Sequence, residues 1–108
     1  MDQYQLSMEI ILNAGNAKTK AFDAIEEARN FRFEQADELI NQANEELKEA
    51  HIVQTKIITM AINGEQFIPE VILIHAQDHL SMGIQSIDNA VEIIKLYRLI
   101  KEIMEKGK

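Results

Sequence analysis

The 108-residue chain has no cysteine and no tryptophan, a single proline and four glycines. Without cysteine, disulfides and thiolate chemistry are excluded, and a reducing compartment is compatible. Aromatic residues make up only 6%, too few for the packed faces that sheets favour. Positive charge is also scarce. Eleven Lys and Arg face eighteen Asp and Glu, for a net charge of −7. Such a surface repels nucleic acid and anionic lipid, so neither is expected as a partner. Long hydrophobic runs are missing too: Val71–Ile74 stops at His75, far short of the ~20 residues that span a bilayer. The N-terminus, MDQYQLSMEII, has no basic n-region, so no export signal is expected and the location expected is cytoplasmic.

What is present is helical periodicity on a chain long enough for one domain, residues 1–108. Leu6, Ile10, Ala14, Ala17, Ala21, Ala24, Ile25 and Ala28 recur three or four apart and predict a helix from about Gln3 to Arg29. Gly15 interrupts it at a cost of about 1 kcal/mol, which predicts a close helix–helix approach there. Asn30 is the expected left-handed residue at its end. A second helix is predicted from near Glu34, with Glu34, Asp37 and Glu38 favouring its positive N-terminus. Its stripe runs through Ala36, Leu39, Ile40, Ala43, Leu47, Ala50, Val53, Ile57 and Met60, while Glu45, Glu46 and Glu49 lie mostly off it. Asn63-Gly64 ends it, and Pro69 stands near the first turn of a third helix reaching about Glu105. Three helices joined by short loops predict an all-α, antiparallel up-down-up three-helix bundle.

The third helix has two faces. Leu73, Ala76, Leu80, Ile84, Ile87, Val91 and Ile94 form the stripe expected to pack on the other helices. Roughly opposite lie His75, Asp78, His79, Met82, Ser86, Asn89 and Ile93. That face should be rich in Lys and Glu in a lone bundle. Instead, between Val71 and Ala90 the only charged residues are Asp78 and Asp88. A second charge-poor face marks an oligomer interface, with Ala90 and Ile93 in the expected seam.

His75 and His79 are i, i+4 neighbours with Asp78 between them on the same side. A polar cluster at a subunit seam must be hydrogen-bonded, coordinate an ion or react, because an unpaired buried charge is costly. Spacing leaves all three open: a satisfied interface cluster, a metal site or a reactive histidine. His51, in KEAHIVQTK, has no clear acidic partner and is assigned no role.

Four stretches decide further: MEIILNAG at 8–15, FEQADELINQANEELKEAHIVQT at 33–55, NGE at 63–65 and HAQDHL at 75–80. Through them nearly the whole chain resembles the IIA component of the lactose/cellobiose/chitobiose class of the bacterial sugar phosphotransferase system. SMG at 81–83 departs from the Met-Thr-Ala more frequent in that family, one turn beyond the site. The resemblance implies a homotrimer that takes phosphate from phospho-HPr and passes it to a cysteine of a cognate IIB component. It implies that His75 is the carrier, phosphorylated on Nε2 (the tele nitrogen), and that His79 supports it. It also implies that Asp78 meets its symmetry mates around one divalent cation per trimer, with Mg2+ expected. The membrane component IIC is reached only indirectly, and the sugar, bound there, is not read from this chain. Physics agrees: neutral imidazole is a good nucleophile, and donors such as His79 or Gln77 would steady the transferring group. The sequence has no Walker-type glycine loop, so the expected donor is a phosphoprotein. Two rival readings use the same three residues: a trimeric metal-binding bundle and a non-catalytic interaction module.

Overall fold

The computed structural model describes residues 2–64 and 66–107. Glu65 of the NGE motif lies outside the described residues, as do Met1 and Lys108. Three helices follow in order: α1 (Gln3–Arg29), α2 (Phe33–Asn63) and α3 (Val71–Lys106). They form the expected antiparallel bundle, 68 Å long and 18 × 16 Å across. Helix α1 packs extensively on both others, which touch each other much less.

Alanine explains the central place of α1. Ala14, Ala17, Ala21, Ala24 and Ala28 are all buried, alongside Leu6 and Ile10. Side chains this small let both neighbours approach the α1 backbone closely. From α2 come Ala36, Ala43, Leu47, Ala50, Val53 and Ile57; from α3 come Leu73, Ala76, Leu80, Gly83, Ile87, Ala90 and Ile94. Ile25, Ile40, Ile84 and Val91 are half-buried at the edges of this core. Met60, expected on the α2 stripe, is exposed together with Ile58 and Ile62, since the stripe loses its cover after Ile57.

Three expectations change. The close approach is made by Gly83, not Gly15. A Cβ on Gly83 would lie 3.2 Å from the Ala14 carbonyl oxygen and 3.3 Å from Leu47 Cδ2, whereas Gly15 has nothing within 4 Å. So the glycine of the SMG stretch at 81–83 is the one that brings α3 against α1. Secondly, Ala90 is fully buried in its own bundle and is not a seam residue.

Thirdly, the left-handed residue after α1 is Phe31 (φ 61°), while Asn30 (φ −94°) caps the helix. The Phe31 N–H donates to Ala28 O and the Arg32 N–H to Glu27 O, both at 2.9 Å. This paired closure turns the chain within three residues, although a bulky side chain rarely accepts positive φ. Phe31 stacks on Phe33 with centroids 6.0 Å apart, and Arg98 of α3 lies 4.7 Å over the Phe33 ring. Those contacts offset part of the cost. At the other end, α1 begins with a reciprocal cap. The Gln5 N–H donates to Asp2 Oδ1 (2.8 Å) and the Asp2 N–H to Gln5 Oε1 (3.1 Å). Among the described residues, no helix is long and apolar enough to cross a membrane.

Candidate functional site

The first turns of α3 carry the histidines because a buried stripe, Leu73–Ala76–Leu80, holds that side of the helix against the bundle. Helical geometry then turns His75 and Asp78 outward, both exposed, and leaves His79 half-buried. His75 Nε2 and His79 Nε2 are 3.1 Å apart, and their rings meet edge to face at 86° with centroids 4.5 Å apart. In such a contact one Nε2 carries a proton and donates, and the other offers its lone pair. Each imidazole therefore fixes the tautomer of the other.

Asp78 lies beside this pair, but among the described residues its carboxylate has no hydrogen-bond or salt-bridge partner. Nor do three His, Cys, Asp or Glu side chains among the described residues converge to hold a metal ion. Gln77 does not join the pair. Two residues around the helix from His75, it faces α2, where Gln54 Nε2 donates to Gln77 Oε1 at 2.8 Å. Gln54 Oε1 in turn lies 3.3 Å from His51 Nδ1. His51 thus ends a polar string that ties α2 to α3 behind the site, a link that no local sequence signal announces.

Exposed apolar side chains precede the pair in the sequence. Ile68, Val71 and Ile74 are all exposed on the rim through which α3 is entered. The site is a convex helix face, suited to contact with another protein's surface, rather than a cavity that encloses a small molecule. A groove of about 170 Å³ does exist, lower on the same side, where Phe22 and Ile25 of α1 meet Ser86, Asn89 and Ile93 of α3.

Residues 5–98 match the family model for the lactose/cellobiose-specific IIA subunit of the phosphotransferase system. The chain belongs to that family. Among its relatives is the galactose-specific EIIA component of Lactococcus lactis subsp. cremoris, 39% identical over 97% of this chain and 90% of the relative. The cellobiose-specific enzyme IIA of Bacillus anthracis has a similar crystal structure, with a TM-score of 0.87 at 38% identity over 94% of each chain. A solution structure of the IIA(chitobiose)–HPr complex of the Escherichia coli N,N'-diacetylchitobiose branch matches with a TM-score of 0.82. Its identity is 29% over 94% of this chain and 99% of that one. This IIA chain is therefore a sugar-specific component of a phosphotransferase system, with the fold of its relatives.

Proposed function

We propose that this IIA chain is a cytoplasmic phosphoryl carrier that accepts phosphate from phospho-HPr on His75 Nε2 and passes it to a cysteine of its IIB component. The 3.1 Å contact between His75 and His79 is the observation that supports this reading best. With the His75 proton on Nδ1, the His79 Nε2–H donates to the His75 lone pair and holds the nucleophilic tautomer ready. The lone pair then attacks phosphorus, and the bond from phosphorus to the donor breaks with its electron pair returning to the donor. The His79 N–H is left free to donate to a phosphoryl oxygen instead of to nitrogen, which steadies charge where it develops. The apolar rim of Ile68, Val71 and Ile74 supplies a docking surface that does not depend on charge, which suits an acidic protein. An HPr complex of a relative supports HPr as the donor.

The same reading includes a homotrimer assembled along α3. Met82, Asn89, Leu96 and Ile103 recur every seven residues, all exposed, with Ile93 and Ile100 beside them. A seven-residue repeat on an outward face is the pattern of a supercoiled helix seam. Around a threefold axis along this seam, Asp78 lies one turn ahead of Met82 and comes near its symmetry mates. At ~4 Å and an effective dielectric of ~20, each carboxylate pair repels by about 4 kcal/mol, so a cation or protons must relieve the cluster. A free carboxylate oxygen from each subunit suits a hard ion such as Mg2+, whereas zinc would recruit the imidazoles, which here engage each other. Among the described residues of one chain no such cluster forms, so an ion held by Asp78 would be shared between subunits.

The test is incubation with phosphoenolpyruvate, enzyme I and HPr, followed by intact mass. One acid-labile phosphoryl group per chain is expected; none would refute the carrier. Stoichiometric metal held by a chain that never accepts phosphate would favour the rival metal-binding bundle.

A further inference from the structure

The start of α3 is not capped by its own residues. Glu70, the N-cap (φ −81°, ψ 154°), makes no side-chain cap bond, and the first turn contains no acidic residue. The first N–H groups of a helix need partners, and an uncapped start frays. The partner comes instead from the other end of the sequence. Gln3, half-buried in the first turn of α1, accepts from the Glu70 N–H at 2.7 Å and donates from Nε2 to the Ile68 carbonyl at 3.2 Å. A single amide group therefore binds the backbone on both sides of Pro69, as a neighbouring strand would. Gln3 is itself held in place by the Asp2–Gln5 cap around it. Among the described residues of this loop, Phe67 also packs against the core.

We infer that Gln3 is a positioning residue for phosphoryl transfer: by clamping Ile68 and Glu70 it holds the apolar rim and the first turn of α3 where the donor protein must dock beside His75. The inference rests on the carrier reading of His75. His75 lies five residues beyond Glu70, in a part of α3 whose own backbone bonds are complete, so loss of the clamp should disturb docking more than chemistry.

In the relay with full-length chain, Gln3→Ala should reach the wild-type phosphorylation end point. Its half-saturating phospho-HPr concentration should rise by about threefold to tenfold, the worth of one net hydrogen bond, while the rate at saturating donor stays within about twofold. Gln3→Glu keeps the acceptor for the Glu70 N–H but has no donor for the Ile68 carbonyl, and should fall between the two. As a control for stability alone, Arg98→Ala removes the ion pair to Asp37 at the far end (2.5 Å) and should leave half-saturation unchanged. An unchanged half-saturation in Gln3→Ala, or an equal shift in Arg98→Ala, overturns the inference. Should Gln3→Ala fail to fold, amide exchange in the wild type decides: the Glu70 N–H must exchange far more slowly than the exposed Gln66 N–H, and equal rates refute the clamp. Failure of the wild type to accept phosphate would count against the carrier reading, and the exchange measurement would still judge the clamp.

Discussion

The Nε2 atoms of His75 and His79 face each other across 3.1 Å, one helical turn apart on an exposed face. If His75 is the nucleophile, His75→Ala should accept no phosphate while keeping its helical spectrum. His79→Ala should still be phosphorylated, but about a hundredfold more slowly, because a positioned proton donor is lost while the attacking nitrogen remains. Quench-flow phosphorylation followed by intact mass checks both. Normal phosphorylation of His75→Ala would overturn the assignment.

Assembly is tested on the seven-residue seam. Sedimentation at micromolar concentration should give about three times the 12.4 kDa chain mass. Leu96→Lys or Ile103→Lys should shift the protein towards monomer, because a charge would be buried among its own copies. Glu45→Lys, on the exposed face of α2, should not. Ala90→Lys is a different experiment: Ala90 is fully buried within one chain, so that variant should unfold rather than dissociate.

The ion proposed at Asp78 is tested through stability. Chelation is expected to lower the melting temperature at neutral pH by exposing the repulsion between the carboxylates. Asp78→Asn should abolish the sensitivity while leaving a stable trimer. Differential scanning calorimetry with and without chelator measures this, and an unchanged wild-type melting point after proven metal loss would refute the axial ion.

The two helical glycines should behave differently. Gly15→Ala, with open space for its Cβ, should gain about 1 kcal/mol of helix stability. Gly83→Ala should gain less or lose, since its Cβ would press at 3.2 Å on the Ala14 carbonyl oxygen of a packed helix. Gly83→Val should be destabilising by more than about 1 kcal/mol through overpacking. Urea unfolding at fixed protein concentration separates the three.

Helix existence, extent and the histidine pair were legible because they rest on short-range periodicity. The buried positions of α1 and α2 recur at the spacing that names them, and the motif HAQDHL is contiguous. Features that depend on which neighbour comes close were not legible. A glycine in a helix signals a possible approach, but only the rotation of α3 against α1 decides that Gly83 and not Gly15 makes it. Phe31 takes the left-handed position because the hydrogen-bond closure falls one residue beyond Asn30, against the preference of its side chain. Ser7 is fully buried, and its Oγ has no partner among the described residues, yet nothing in its neighbourhood of the sequence sets it apart. Gln3 and Glu70 are 67 residues apart, so their bond leaves no local trace at all.

The alanine stripe of α1 has a further consequence. Ala14, Ala17, Ala21, Ala24 and Ala28 repeat at alternating steps of three and four, so sliding α1 by two turns lays much of the stripe back onto itself. A surface this uniform grips closely yet barely specifies its own register. Register must then be set at the ends. At one end stand the larger Leu6 and Ile10 and the Gln3 amide; at the other are the Phe31 turn and the bond from Arg29 Nε to the Tyr97 hydroxyl at 3.3 Å. The middle of the bundle supplies adhesion and the ends supply alignment, so a slipped α1 would carry the α3 entry, and with it His75, out of line.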